Sequence, residues 1–523
     1  MAAPAGGEAP AAADSGASLE GLTIARVEVR TRNIFDPVPE GALSPIYRLG
    51  NRLHVRTRSS TVRHELLFAP GDPWSEERRE ESLRTLRTLD YLEPQRLEAR
   101  REGDSVAVTV VTRDTWTTSP DFNLEHGGGQ SFGTIGLTER NLFGLGKSVS
   151  AAYHEDPIGI SRNLSFRDPA VGGSRVQLTY GAAAGVGGST DLLSMGQPFY
   201  ALDAPWAFGA AWLRSSSVLR LFQSGGEIAN LDQRLHEGEA WVGRGFASDG
   251  TIVRPVLSLL IWDRDLGPSR LAPGAPPEFA GGDEKLRLRR VAVEMGMWKP
   301  NYVVREDVDR IGHAEDFDLG RSLGFKLGLS PRVLGSSVDE GYARIRGQVG
   351  AEGPLGFGYL QGAAAARMRR GPLEVLRQAE ARWFVASRAG HVLVLAAHGT
   401  SGSRVARDYQ VVVGGLSGLR AYPVQALAGR ELVRLNAEQR WVLGRNLRDL
   451  VSIGTAVFYD AARAWGPGAA GTGWFNAAGF GLRLATPRTA LGPVLRIDVA
   501  WPISPTRDGT REAVLSFGSS QAF

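Results

Sequence analysis

From Thr115 to the end of the chain, apolar and polar residues alternate with a period of two, segment after segment. At 343–352, Ala343, Ile345, Gly347, Val349 and Ala351 share one side, and Arg344, Arg346, Gln348 and Glu352 share the other. At 432–441, Val433, Leu435, Ala437 and Trp441 oppose Arg434, Asn436, Glu438 and Arg440. At 494–501, Leu495, Ile497, Val499 and Trp501 oppose Arg496 and Asp498. Successive side chains of a strand point to opposite faces, so each segment presents one apolar and one polar face. A soluble sheet alternates too, with its apolar face on a core. Here the pattern fills residues 115–523 without the helices or second core that so large a soluble sheet would need. A closed antiparallel barrel, apolar outside and hydrated inside, accounts for it better than a propeller or a long sandwich. Tyr200, Trp206, Trp298, Tyr302, Trp383, Trp441 and Trp501 lie near strand ends, as the aromatic girdles of a membrane barrel do. Patterning gives slightly more than sixteen strands, because 218–245 and 300–340 read ambiguously.

The composition admits this fold. Glycine, 66 of 523 residues, is nearly double the usual share of roughly 7% and suits tight turns and close backbone approach. No run approaches the length of a transmembrane helix. A barrel strand needs only about 9–11 residues with alternate apolar positions, so a mean hydropathy of −0.16 is compatible with a membrane barrel. The 60 basic and 56 acidic residues leave a net charge of +4, spread along the chain. That distribution lacks the basic stripe a nucleic-acid partner requires. The absence of cysteine excludes disulfides and thiolate metal sites, and it suits a chain that crosses an oxidising compartment unfolded.

Residues 1–19 read as a flexible Ala/Pro/Gly tail. They lack the basic region and apolar core of a signal peptide, so any export signal is expected to have been removed. Residues 20–114 form a different unit. Ile24, Val27 and Val29 mark a strand, and Val62 and Leu66 mark a helix over 59–68. A second helix starts near Ser75, with Glu76 and Glu77 in its first turn and an apolar stripe of Leu83, Leu86 and Leu89. Leu97 and then Val106, Val108 and Val110 give two strands around the turn Glu102-Gly103-Asp104. The order is β-α-α-β-β, a small α+β domain. At the other end, Ala513, Leu515, Phe517, Ser519, Gln521 and Phe523 share one strand face, which suits a barrel closed by its first and last strands.

With these elements in place, the chain resembles the outer-membrane assembly and secretion superfamily, the bacterial surface antigens with polypeptide-transport-associated (POTRA) domains. Residues 20–114 resemble a single POTRA domain, and 115–523 the transmembrane barrel. GGLSGLRAY at 414–422 is similar to the family's long-loop signature, and VFYDAARAW at 457–465 to its strand motif, in which an Asp follows an aromatic by two. TERNLFGLGKSVS at 138–150 looks like the first extracellular hairpin, and the strand carrying Phe517 and ending at Phe523 looks like the signal read by the assembly machinery. Ala421 and Ala462 stand where the family usually has glycine. The resemblance implies sixteen strands, an outer-membrane barrel and a periplasmic N-terminal domain.

It also implies a site. Arg420 lies in a loop of about 30 residues between strand patterns near 399 and 432, and loops that long are usually functional or disordered. The resemblance folds this loop into the lumen: Gly414, Gly415, Leu419, Arg420, Ala421 and Tyr422 meet Phe458 and Asp460 on the wall. A guanidinium suits that role because its planar fork holds a carboxylate bidentately. The alternative is an exposed loop arginine.

Other motifs carry less. Gly146-Lys147-Ser148 resembles the end of a P-loop, but Asn141 occupies the place of the required Gly and a strand pattern follows. GLSGL at 415–419 fails the nucleophile-elbow pattern at its last position. The eight histidines lack metal-ligand spacing, and no carboxylate pair stands out. No catalytic residue, metal or cofactor is expected, and the protein is not expected to be an enzyme. The expected partners are outer-membrane lipids, unfolded outer-membrane or secreted polypeptides, and periplasmic accessory proteins.

Three functional readings follow. In the first, the protein assembles outer-membrane proteins: the POTRA sheet offers an edge strand to clients, which enter at a seam between the first barrel strand, near 131–140, and the last, 512–523. In the second, it is a two-partner-secretion transporter passing one client through the lumen. In the third, it is a passive structural barrel or porin.

Overall fold

The computed structural model describes residues 18–127, 130–156, 159–369, 374–388, 390–415, 418–447, 451–469, 473–486, 494–505 and 511–518. A small domain comes first. Its elements are β1 (Thr23–Arg32), α1 (Ser44–Leu53), α2 (Ser59–Glu65), α3 (Glu76–Arg87), β2 (Leu92–Glu102) and β3 (Ser105–Asp114). Strand β3 is central, parallel to β1 and antiparallel to β2. Its alternate residues Val106, Val108 and Val110 are buried against Ile24, Val62, Leu66, Trp74 and Leu86 in one core. Helix α3 starts where expected: the Ser75 hydroxyl accepts the Arg78 N–H, and Glu76 and Glu77 fill the first turn.

Helix α1 is additional to the expected order. Its large aliphatics Ile46, Leu49 and Leu53 all face outward, so its apolar stripe does not belong to a core. What holds it is Tyr47, packed at a tilt against Phe35 with ring centers 4.7 Å apart, and Asn51. The Asn51 side chain accepts from the Phe35 N–H at 3.0 Å and donates to the Phe35 carbonyl at 2.8 Å.

Beyond Asp114 the chain is an antiparallel meander in which each barrel strand pairs with the one before it. The strand order returns on itself where Ser516 of the strand Val514–Gly518 bridges Glu125 of β4 (Thr118–Gly127). Among the described residues this ring holds twenty-two strands. Phe246–Ser248 and Arg270–Leu271 are fragments of three and two residues, which leaves twenty of substance rather than the sixteen the resemblance implies. Between Thr118 and Gln197 the chain already makes six crossings of 9 to 13 residues. The ambiguous stretch 218–245 resolves into the end of Trp206–Gln223 and the whole of Gly226–Arg244. The stretch 300–340 holds one barrel strand, Arg321–Ser330, and a separate hairpin of Tyr302–Glu306 with Ala314–Asp318.

The first barrel strand is β4, not the 131–140 segment, which belongs to β5 (Gln130–Leu142). Pro120 and Asp121 break the alternation in β4, and this hid the strand. Proline cannot donate to a ladder and belongs on sheet edges. Accordingly β4 pairs with β5 along its whole length and meets the last strand at one bridge among the described residues.

The two faces fall as the alternation predicts. Ile345, Leu435, Leu495, Trp501 and Leu515 are exposed on the outside, while Glu438, Arg440, Arg496 and Asp498 are buried inside. No helix among the described residues is long and apolar enough to cross a membrane, which leaves membrane crossing by strands untouched.

The sheet and helices α2 and α3 of the small domain share one main core, so truncating its center should loosen that unit. Leu86→Ala is expected to cost about 2–5 kcal/mol. Hydrogen exchange should then accelerate in β1, α2, α3, β2 and β3 and stay unchanged in the barrel strands.

Candidate functional site in the barrel lumen

The segment 404–430 connects the strands His391–Ser403 and Glu431–Leu447. Val411–Val413 pairs with Leu427–Gly429 at its base and brings the two arms together. Beyond that pair the chain turns sharply at Gly414, where φ is 152° and a Cβ would meet the Pro423 carbonyl at 2.0 Å. Only glycine fits there. The Gly415–Leu419 bridge and the Gly415 N–H to Tyr422 carbonyl bond tighten the tip. This folding drives Leu419, Arg420, Ala421 and Tyr422 inward, and all four are buried.

Arg420 meets Asp460 of the strand Val451–Trp465, as the motif pair implies. Nε and Nη2 donate to the two carboxylate oxygens at 2.8 Å each, a bidentate fork, and the Arg420 backbone N–H adds a third contact at 3.3 Å. Both side chains are fully buried. The guanidinium carbon lies 3.3 Å from the Phe458 ring center, so the residue two before the aspartate supplies a stacking face. Asn436 donates to Asp460 Oδ1 and to the Gly418 carbonyl, both at 2.8 Å, which ties the loop tip to the wall.

Sequence reasoning missed the remainder of the cluster. Arg420 Nη1 donates to Glu438 Oε2 at 2.7 Å and reaches Asp498 Oδ2 at 3.4 Å. Arg483 donates to Asp498 at 2.6 Å and to Glu438 at 3.2 Å, Arg496 to Asp498 at 2.7 Å, and Arg440 to Glu438 at 2.9 Å. Three carboxylates therefore converge on one loop arginine, contrary to the expectation that no carboxylate grouping stands out. The signal was present: Glu438 and Asp498 occupy the inward positions of segments whose alternation is plain. What the sequence hides is the ring order that sets Glu431–Leu447, Val451–Trp465, Phe475–Ala485 and Leu495–Pro502 side by side. Gly481, opposite Asp498, leaves the room: a Cβ there would lie 1.9 Å from an Asp498 oxygen.

The other motif positions join the same cluster. Ala421 and Ala462, where glycine is usual in the resembling family, are buried together with Val413, Leu419, Tyr422 and Phe458, so the two methyls fill the packing. The Tyr422 hydroxyl sits 2.9 Å from the Asn476 carbonyl and 2.7 Å from that of Ser504, the acceptors for its proton. Phe517 lies in the strand Val514–Gly518 opposite Ile497, away from this cluster. Phe523 lies outside the described residues.

A second element enters the network from the end of the barrel nearer the small domain. In the hairpin at 302–318, Asp309 accepts from Arg440 Nη1 at 3.0 Å, and the Val308 carbonyl accepts from the same nitrogen at 3.0 Å. Arg445 pairs with Asp307. Phe317 packs on Phe357 and Phe384, with ring centers 5.0 and 5.4 Å away. The other side of the hairpin holds the small domain. Arg87 of α3 forks onto Asp316 with two bonds of 2.6 Å, Arg84 stacks on Tyr302, and His313 lies 3.3 Å from Glu93 of β2. An ionic chain thus runs from α3 through the hairpin to Arg440, Glu438 and the tip of the long loop. Arginines 420, 440, 483 and 496 balance Asp309, Glu438, Asp460 and Asp498.

Two carboxyls in this connection titrate abnormally. Burial opposes the ionization of Glu93, but hydrogen bonds and charge from His313 and Arg113 outweigh it and hold Glu93 down at about 2. Burial and the nearby Asp309 push Glu315 up to about 7, against the backbone N–H groups of Val308 and Asp309 that bond it.

Among the described residues no group of His, Asp and Glu has metal-site geometry. The lumen also holds a cavity of about 860 Å³ whose wall includes Arg254, Glu294, Lys326, Arg344 and Glu380.

Residues 381–523 match the family model of the Omp85 superfamily domain. No curated protein matches the chain. Among solved structures, BamA from Haemophilus ducreyi lacking POTRA domains 1–3 is 14% identical; the match covers 94% of this chain and 84% of that one, with a TM-score of 0.42. CdiB from Acinetobacter baumannii is 12% identical, with 94% and 73% covered and a TM-score of 0.43. CdiB from Escherichia coli is 11% identical, with 96% and 77% covered and a TM-score of 0.47.

Reversing the loop charge tests the cluster. Arg420→Asp removes the cation paired with Asp460 and adds a negative charge beside Glu438 and Asp498, and it is expected to cost about 3–5 kcal/mol locally. It should release 404–430 to protease, with Asp460→Arg restoring protection only in part, because Glu438 and Asp498 then face an aspartate. Full protection in the single variant would refute the arrangement. The hairpin has its own test. The site suits the protonated form of Glu315, so its contribution is complete below the ordinary 4.5 and is lost as pH rises through about 7. Hydrogen exchange of 302–318, corrected for its intrinsic pH dependence, should quicken between about pH 5 and 7 in the native chain and stay level in Glu315→Gln.

Proposed function

From the premise that the chain carries an Omp85 superfamily domain, we propose that this polypeptide-handling outer-membrane barrel assembles other outer-membrane proteins. In this reading residues 20–114 are a single POTRA domain in the periplasm and 115–523 are the barrel. The observation that carries the reading is the join between the first and last barrel strands, where, among the described residues, Ser516 bridges Glu125 of β4, a strand that also carries Pro120. Inside a bilayer every backbone N–H and C=O needs a partner, and proline cannot donate to a ladder, so a seam at such a strand is a place where a client strand can complete its hydrogen bonds. The small domain adds support. Strand β2 pairs with β3 alone among the described residues, and its other edge is open to an extended client by strand addition.

The cluster around Arg420 serves this function by holding the wall strands next to the seam. Asp498 lies on Leu495–Pro502, the direct neighbor of Val514–Gly518. With the long loop seated, these strands are fixed while the seam beside them opens. The protein acts by positioning chains rather than by transforming a substrate. Its partners are outer-membrane lipids, unfolded barrel polypeptides and accessory periplasmic proteins.

Secretion of one dedicated client through the lumen is the competing reading, favored by the large charged cavity there. It requires the 404–430 loop and the 302–318 hairpin to move aside. Depletion of the protein, followed by quantitative proteomics of outer-membrane and secreted fractions, separates the two. Assembly predicts the loss of several unrelated barrels from the membrane. Loss of one secreted protein with the membrane proteome intact overturns assembly in favor of secretion, and an unchanged proteome leaves a passive barrel. A disulfide between Ser516→Cys and Glu125→Cys should reproduce the assembly defect and be relieved by reductant, with a clean background because the chain has no cysteine.

A further inference from the structure

Helix α1 presents two unlike faces. Ser44, Tyr47, Asn51 and the following His54 turn inward. Tyr47 is 3% exposed and packs with Ile34, Phe35 and the partly buried Trp116. His54 Nε2 sits 2.8 Å from Asp114 Oδ2, with both side chains buried. These contacts fix the rotation of the helix. The adjoining face carries Ile46, Leu49 and Leu53, at spacings of three and four residues, exposed by 56, 55 and 64%. Val55 extends the stripe at 54%. Arg48 and Arg52, both exposed, lie between the inward face and the stripe. Three large aliphatics in one exposed helical stripe bordered by arginines form a surface that water does not favor.

The place of this stripe identifies what covers it. Trp116 stands two residues before β4, so the inward face of α1 rests on the root of the first barrel strand. The chain leaving α1 is pinned to the turn between β5 and the next strand, Lys147–Asp156, so the 138–150 hairpin, expected to be extracellular, lies at the end of the barrel beside the small domain. The Arg58 N–H donates to the Gly144 carbonyl at 3.0 Å and Arg58 Nε to the Phe143 carbonyl at 3.1 Å, while Asn141 Nδ2 donates to Thr57 Oγ1 at 2.7 Å. Phe143, at a φ of 57° that side chains rarely adopt, is 64% exposed in that turn. It ends β5, whose Ile135 and Leu137 are exposed on the outer face of the barrel. The apolar stripe, Phe143 and the outer face of β5 thus lie in succession at one rim. The barrel's outer belt faces lipid, and the stripe continues it.

We propose that α1 is an interfacial anchor, lying in the periplasmic leaflet with Ile46, Leu49 and Leu53 among acyl chains and Arg48 and Arg52 at the lipid phosphates. The occupant is a phospholipid surface. The proposal rests on the outer-membrane reading given above. The anchor sets the height and tilt of the small domain beside β4, so β2 is presented to clients from a fixed position.

Single-cysteine variants of the full chain test this. Leu49→Cys and Leu53→Cys, each carrying an environment-sensitive fluorophore, are refolded in phosphatidylethanolamine/phosphatidylglycerol vesicles with a nitroxide on the lipid acyl chain. Leu137→Cys on the outer face of β5 is the reference for lipid contact, and Arg100→Cys on exposed β2 is the reference for water. Both α1 labels should be quenched to within about two-fold of the Leu137 label, with the Arg100 label unquenched. Quenching at Leu137 alone overturns the anchor and leaves the barrel reading intact. No quenching at Leu137 contradicts the outer-membrane reading itself, and the anchor falls with it. An α1 label shielded from water without nitroxide quenching, in proportion to protein concentration, assigns the stripe to a second copy and also overturns the proposal.

Discussion

A guanidinium buried in a barrel needs a reason to stay charged and a reason to stay put. Arg420 has both: Asp460 takes its fork, Glu438 and Asp498 take its remaining nitrogen, and Phe458 lies flat beneath it. Desolvating these charges is costly, and only the completeness of their pairing offsets it. That pairing in turn fixes the backbone. The long loop is held at its tip, the wall strands are held at the register that places Glu438, Asp460 and Asp498 around one point, and Arg440 carries the connection to the hairpin at 302–318. Two segments that enter the barrel interior from opposite ends thereby meet at Glu438, the loop through Arg420 and the hairpin through Arg440.

The arrangement concentrates its cross-links in one part of the wall. From Glu431 to Pro502 the strands are joined by buried ion pairs, and Val514–Gly518 lies directly beside them. Under the proposed function, that fixed wall lets the neighboring seam open without the strands beside it following. The small domain is tied to the same frame through Arg87 and Asp316, and among the described residues β2 pairs with β3 alone.

Much of this was legible in the sequence where chemistry is local. Alternation at 432–441 and 494–501 placed Glu438, Arg440, Arg496 and Asp498 on the inner face, and the pairing of Arg420 with Asp460 was implied by the family resemblance of two short motifs. What stayed hidden depends on distant parts of the chain. Strand β4 was obscured because Pro120 and Asp121 interrupt its pattern. The convergence of Glu438 and Asp498 on Arg420 needs the ring order of strands 64 and more residues apart at their limits. Helix α1 escaped notice because its aliphatic stripe points away from the domain core, where a core-seeking pattern has nothing to match. The hairpin at 302–318 was ambiguous for a related reason: its apolar residues Val308 and Phe317 pack on the inner wall of the barrel, so strand periodicity could not tell them from lipid-facing positions.

The central claim is that one buried cluster holds both inward-folding segments. Hydrogen exchange on the Glu438→Gln variant in the intact chain tests it most directly, because the change removes the shared charge while keeping the shape. Exchange should accelerate together in 404–430 and in 302–318, with the barrel strands Thr118–Gly127 to Gly188–Gln197 unaffected. Unchanged protection in both segments, or loosening of one alone, would contradict the account.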